Sequence, residues 1–249
     1  MSINSYESDE MVAQYMEFHY GNNYFEVKNY PEKCARLCLQ LMEKKTKRKA
    51  LDLGCAVGRT TFELAREFDE VVGVDLSARF IECAKQLKEK GSLSYNITDE
   101  GELSTLHTAQ LSDHPLQQIK DKVSFYQEDA CNLGAHHHDY ELIFAGNLLD
   151  RLQNPGQFLS SIHRYLSMDG ILVMSSPYTL LAEYTPRENW LGGYRVDEKN
   201  ITVLEGIKKV LDAHFIMINE PVDVPFVIRE TRRKFQHTIA QLTSWKRIR

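Results

Sequence analysis

Leu51-Asp-Leu-Gly54-Cys-Ala-Val-Gly58-Arg-Thr60 runs from an apolar strand into a glycine turn and on into a helix. Val71-Val-Gly-Val-Asp75 supplies a second strand that ends on a carboxylate. A strand, a glycine turn and an acidic residue about 20 positions later form one half of a nucleotide-type site. The turn admits the ligand and the carboxylate takes the ribose hydroxyls. The details point away from a dinucleotide. A G-x-G-x-x-G pattern starting at Gly54 needs glycines where Ala56 and Arg59 stand, and arginine at the third position obstructs close helix–strand packing. Asp52, just before the turn, repels a pyrophosphate and suits a ligand carrying an ammonium and a sulfonium. Gly54 and Gly58 are expected at positive φ or at close backbone approach.

The remaining sequence sets that half-site in one α/β unit. The chain has 249 residues, enough for one sizeable α/β domain with embellishments and short for two. A hydrophobic fraction of 43% and a charged fraction of 26% are ordinary for a globular protein. The formal net charge is −5, so attraction to nucleic acid or to an anionic membrane is not built into the whole chain. No apolar run approaches membrane-spanning length. Met1–Glu10 lacks the basic and apolar regions of a signal peptide. Five cysteines at irregular spacing suggest reduced thiols in a cytoplasmic protein rather than a disulfide framework.

Five strand–helix alternations are predicted. Strands fall at Lys49–Leu53, Glu70–Val74, Val123–Gln127, Glu141–Ala145 and Gly170–Ser175, with helices over Arg59–Glu67, Ala78–Lys90 and about Gly156–Leu166. Such alternation implies an α/β, Rossmann-like doubly wound, mostly parallel sheet whose ligands bind beyond the carboxyl ends of the strands. Residues 1–48 read as a helical cap, with Met11, Tyr15 and Phe18 on one face and a second helix from Pro31, and residues 49–249 as the core. Residues 91–121 read as an irregular polar insertion. After a helix over Ile201–Ala213 come two extended runs, Phe215–Asn219 and a longer one through Phe226, Ile228, Phe235 and Ile239. If that run is one strand, Ile228, Glu230 and Arg232 share a face and Arg229, Thr231 and Arg233 the other. Such a basic run is able to bind a substrate carboxylate, to guard a sheet edge or to contact RNA.

The glycine turn with its flanking acids resembles motif I of the class I S-adenosylmethionine (SAM) methyltransferases. That resemblance implies a seven-stranded sheet with an antiparallel C-terminal strand, and a site running along the strand ends. Asp52, Gly54, Cys55 and Gly58 would line the cofactor; Asp75, Leu76 and Ser77 would meet its ribose edge; Asp129, Ala130 and Cys131 would meet the adenine. Asn147 would face the methionine moiety and the acceptor, and Tyr15 and Tyr20 would close over the cofactor from the cap. Asp150 and Arg151 are either substrate ligands or a surface charge pair, and Tyr178 lies where a substrate enters. The Trp190 loop reads equally as a lid or as packed surface. His136-His-His138 is expected to hold no metal, because three adjacent histidines cannot converge on one ion and no cysteine pair is spaced for zinc.

Longer strings carry a narrower resemblance. Tyr15-Met-Glu-Phe-His-Tyr-Gly21, Val74-Asp-Leu-Ser-Ala-Arg-Phe-Ile81, Asn147-Leu-Leu-Asp-Arg-Leu152, Ser176-Pro-Tyr-Thr179, Asn189-Trp-Leu-Gly-Gly193 and Asp223–Thr238, with the motif-I string, resemble the 4-mercaptohistidine N-methyltransferases of ovothiol biosynthesis over nearly the whole chain. The family implies methyl transfer from SAM to an imidazole nitrogen of 5-thiohistidine, without a metal. It also implies a functional link to a 5-histidylcysteine sulfoxide synthase. On position and charge, Arg229 or Arg232 is expected at the substrate carboxylate, Asp150 or Glu230 at its ammonium, and Asn147 or Tyr178 at the ring. The rivals are an RNA methyltransferase on the same fold and a non-catalytic SAM-binding partner protein.

Overall fold

A computed structural model describes residues 6–111 and 115–249; Met1–Ser5, within the stretch read for a signal peptide, and Ser112–His114, within the 91–121 insertion, lie outside the described residues. The central sheet has eight strands. Five of them run in parallel: β1 (Lys49–Leu53), β2 (Glu70–Asp75), β5 (Val123–Gln127), β6 (Tyr140–Gly146) and β7 (Leu166–Ser176). Beyond them lie β10 (Phe215–Met217), β11 (Val222–Arg229) and β12 (Phe235–Arg247). Across the sheet the order is β10-β12-β7-β6-β1-β2-β5, with β12 antiparallel to both of its sheet neighbours and β11 paired to its first half. The expected doubly wound architecture is present. Its order changes direction between β1 and β6, so the loops leaving those two strands diverge and open a crevice at their carboxyl ends.

Helices cover both faces. Successive residues of β1 point to opposite sides: Ala50 joins the core under α1 (Asp9–Tyr20), α2 (Tyr30–Leu41), α3 (Arg59–Leu64) and α4 (Ala78–Lys90). Leu51 and Leu53 join the other core, with Phe158 of α5 (Pro155–Ser161) and Ile207 of α6 (Val203–Leu211). Local signals set the helix ends. Ser8, Asn29, Ser77, Asn154 and Thr202 each cap a helix by accepting from a backbone N–H of the first turn, and Gly91 stops α4 at φ +76°.

Two sequence expectations need correction. The insertion expected to be irregular holds an antiparallel hairpin, β3 (Ser92–Glu100) and β4 (Leu103–Gln110), turned at Gly101-Glu102. Its alternation is carried largely by Ser, Thr and Asn, so period-two hydrophobicity barely registers. The hairpin lies against α1 and buries Tyr95 and Ile97. The long C-terminal run is two strands. Lys234 O accepts from the amides of Glu230 (2.9 Å) and Thr231 (3.2 Å), which closes a turn between β11 and β12. Glu230 and Arg232 therefore sit in that turn, and the alternating-face reading fails for them.

The last short hairpin is β8 (Tyr194–Val196) with β9 (Lys199–Ile201). No helix among the described residues is long and apolar enough to cross a membrane.

Candidate active site

The crevice begins at the turn after β1. Gly54 and Gly58 take φ +71° and +86°, and Ala56 between them takes +46°. A Cβ on Gly58 would lie 2.8 Å from the Phe125 ring, so glycine is required there by space as well as by conformation. Asp75, at the end of β2, closes the turn: one carboxylate oxygen accepts from the Ala56 amide (2.9 Å) and the other from the Ser77 amide (2.9 Å). A carboxylate offers about four lone-pair positions, so two remain for a vicinal diol. Burial raises Asp75 to about 6 against the pull of those amides. Asp52 points the other way. It is 1% exposed, accepts from the Thr61 hydroxyl at 2.7 Å, and is pushed by burial to about 7. Its charge acts on the turn through the field, not by contact. Cys55 is buried beside it.

Farther along the strand ends, Asp129 is exposed and accepts from the Cys131 amide at 2.9 Å, which shapes the turn after β5 with Ala130 half-buried inside it. Leu76 is exposed at the mouth. Ser77 caps α4 and donates to Tyr6 O (3.3 Å).

The cap reaches the same crevice. The Tyr15 ring packs at 4.8 Å on Phe80 and edge-on at 6.0 Å to Tyr6; the charges of Arg151 and Asp75 both act on its phenol, which burial raises well above its ordinary value. Tyr15, Asp75 and Arg151 thus converge from α1, β2 and the turn after β6. Residues 6–9 clip onto α4: Glu7 accepts from the Ala78 amide, and Asp9 pairs with Arg79. Tyr20 lies deeper, donating to Val57 O at 2.9 Å with Arg59 over its ring.

At the end of β6, Asn147 takes φ +52° and donates its amide to Ser175 O (2.8 Å). Tyr30 of α2 donates its hydroxyl to Asn147 Oδ1 (3.0 Å) and shares a 2.6 Å hydrogen bond with Ser175 Oγ. Burial lifts the Tyr30 phenol well above its ordinary value, so it remains a donor. Asn147 is therefore held with its amide NH₂ as the uncommitted end of the side chain. Asp150, 3% exposed, accepts from Arg151 (2.9 Å) and Ser176 (3.0 Å); burial raises its pKa despite both. The pair is built into the site wall rather than the surface, and Arg151 stacks on Tyr184 at 4.6 Å. Tyr178, at φ +53°, donates to Gln241 of β12 (3.1 Å). Asp150, Ser176, Tyr178 and Trp190 line one pocket. The Trp190 loop is packed: its indole donates to Thr185 O, and a Cβ on Gly206 would collide with Leu191 O.

Arg229 is not a free guanidinium. It is 8% exposed, donates to Asp99 (3.0 Å) and Tyr24 (3.3 Å), and lies 4.0 Å from Glu17. Glu17, fully buried, accepts from Tyr24, Tyr95 and His107. Burial pushes the Glu17 carboxyl up, but these donors outweigh it and leave the pKa below the ordinary value. Arg232 is exposed on an open groove of about 510 Å³ that Arg229, Asp99, His107 and Phe235 also line, whereas Glu230 pairs with Lys234 (2.5 Å). Tyr30, Ser175 and Glu17 gave no sequence signal: each is an ordinary residue of a helix or strand until the fold brings its partner near.

A family model described as a methyltransferase domain matches residues 44–200. The chain belongs to the methyltransferase domain family. Among solved structures, the fold is similar to magnesium protoporphyrin IX methyltransferase from Synechocystis PCC 6803 with bound SAM, at TM-score 0.58 and 13% identity, covering 98% of this chain and 95% of that one. It is similar also to the N-methyltransferase NodS from Bradyrhizobium japonicum WM9 in complex with S-adenosyl-L-homocysteine, at 0.53 and 15%, covering 95% and 98%. A third similar structure, the [4+2]-cyclase SpnF, at 0.57 and 14% with 97% of each chain covered, shows that this fold does not by itself dictate the methyl acceptor or even the reaction.

Proposed function

We propose that this methyltransferase transfers the methyl of SAM to an imidazole ring nitrogen of 5-thiohistidine. The observation that carries the reading is that Asp75 and Asn147 end β2 and β6 on either side of the β1/β6 divergence, Asn147 held by Tyr30, with Tyr15 of the cap near enough for the charges of Asp75 and Arg151 to act on it. Support for the acceptor comes from the strings resembling ovothiol N-methyltransferases, which contribute Asp150, Ser176, Tyr178 and Trp190 to one pocket.

SAM supplies an electrophilic methyl on a sulfonium. Asp75 takes the ribose diol with its two remaining acceptor positions. Gly54, Cys55 and Gly58 let the cofactor approach the backbone, and Asp129, Ala130 and Cys131 form the adenine edge. Asp52 adds negative field behind the turn. Leu76 and Ser77 border the ribose, and Tyr15 and Tyr20 close the crevice from α1. Asn147 presents its NH₂ to the amino-acid part of the cofactor or to the acceptor ring, and Tyr178 flanks the ring. Asp150 is the candidate for the substrate ammonium. Arg151 and Ser176 fix its carboxyl group, and burial makes an unpaired charge there costly. Arg232, exposed on its groove, is a better candidate for the substrate carboxylate than Arg229, which Asp99 and Glu17 already occupy. A ring thiol ionises readily and enriches the ring nitrogen, so these residues orient the partners rather than remove a proton by a strong base. A 5-histidylcysteine sulfoxide synthase is the functional partner this reading calls for.

Mass spectrometry of the purified protein with SAM and 5-thiohistidine, with histidine as control acceptor, tests the reading. A product one methyl heavier from the thiolated acceptor alone is expected. SAM binding with no such product would refute the acceptor and leave the methyltransferase family intact.

A further inference from the structure

The loop between β5 and β6 returns on itself. Glu128 stands at its start and the histidine tract at its end, with Asp129–Cys131 between them. The expectation that three adjacent histidines cannot converge holds for the full tract, since His138 turns away to Asp139 (3.0 Å). The other two converge on one carboxylate. His137 Nε2 lies 3.2 Å from one oxygen of Glu128, and His136 Nε2 lies 3.5 Å from the other. One ligand atom from each of the three residues lies within 4.8 Å of the others; ligand atoms held about 2.0–2.1 Å from one tetrahedral ion are about 3.3 Å apart, so a small inward shift of the exposed His136 ring closes the set.

A second observation points to a ligand. His137 is 2% exposed, and its Nε2 is buried without a hydrogen-bond partner: it faces Glu128 but is not aligned to donate. Its other nitrogen is 2.8 Å from the Tyr140 hydroxyl. With Nδ1–H donating to that oxygen, the Nε2 lone pair faces a carboxylate, an opposition that a cation between them relieves. Tyr140 then plays the part of the outer partner that fixes a ligating imidazole. The Gly134 amide donates to Glu128 Oε2 (3.1 Å) and holds the carboxylate. His136 is exposed, so a fourth position faces solvent.

We propose that Glu128, His136 and His137 form a site for one divalent transition-metal ion of the zinc class. Two imidazoles and a carboxylate suit zinc, cobalt or nickel better than magnesium or calcium. The ion is a clamp on the loop that carries Asp129, and methyl transfer has no step through it.

The test uses the tag-free chain after chelator treatment. Zn²⁺ is titrated calorimetrically, Co²⁺ is followed by its visible absorption, and melting is recorded with and without Zn²⁺. One ion per chain, intense Co²⁺ bands and a raised melting temperature are expected. His136→Ala and Glu128→Gln, at positions not fully buried, should weaken Zn²⁺ at least ten-fold and leave the metal-free melting temperature unchanged, while His138→Ala binds as the parent chain does. Absence of saturable binding, parental affinity in His136→Ala, or an equal loss in His138→Ala would each overturn the site.

Discussion

Asp52 and Asp75 are neighbouring carboxylates with different jobs, and their surroundings separate them. Asp75 keeps two acceptor positions open, so Asp75→Asn should weaken SAM by about 1.5–3 kcal/mol, a loss typical of hydrogen bonds to a charged group; calorimetric titration reads it directly. Because Asp75 is raised to about 6, SAM affinity should fall as pH drops through that value. Asp52 is the reverse case. Its pKa is higher in the folded chain, about 7, than the ordinary carboxylate value. The folded state therefore holds its proton more tightly, and stability from this group declines as pH rises from about 4 to above 7. A displacement of about three pH units is worth about 4 kcal/mol. Asp52→Asn should flatten that part of the stability–pH curve and raise the melting temperature of the cofactor-free chain at pH 8, while lowering SAM affinity. Parental pH dependence in the variant would show that Asp52 is not the group responsible.

At the scale of elements, β11, the β3–β4 hairpin and α1 meet at one buried cluster. Glu17 holds three donors, and Arg229 joins it to Asp99. Removing one side of such a cluster strands a buried charge, so Glu17→Ala should destabilise the fold by about 3–5 kcal/mol, read as a lower denaturation midpoint. The two arginines once grouped as carboxylate ligands should now separate. Arg229→Ala is expected to lower stability, and Arg232→Ala to raise the KM for the amino-acid acceptor with the melting temperature unchanged. A normal KM in Arg232→Ala would remove it from the site. Neither hairpin was foreseen from local pattern. The β3–β4 alternation is mostly polar, and the β11–β12 turn has no glycine or proline within Glu230–Lys234 to announce it.

At the scale of the whole molecule, β12 outruns the sheet. Gln241 is the residue opposite Ser176 at the end of β7, and Phe235–Ala240 continue past the strand ends with β11 as their partner. That extension, through β11, packs with α1 and the β3–β4 hairpin; in the proposed reading these elements border the acceptor side of the crevice, a construction suited to a small molecule. The formal net charge of −5 supports the same reading. Filter binding to RNA should show no affinity that rises steeply at low salt, whereas phosphate-dominated binding would produce that slope.

The sequence by itself determined the parallel sheet, its cofactor turn and the acids at its strand ends. These rest on short-range physics: an apolar strand of period two, glycines needed at φ +71° and +86°, and caps that act within one helical turn. The tertiary structure alone decided that Tyr30 aims Asn147, that Arg229 is consumed by Glu17 and Asp99, and that Glu128 faces His136 and His137. In the first two, the partners lie more than a hundred residues apart, so their meeting depends on how helices and hairpins pack on the sheet. In the third they are close in sequence but converge only because the loop doubles back, a conformation that no periodicity encodes.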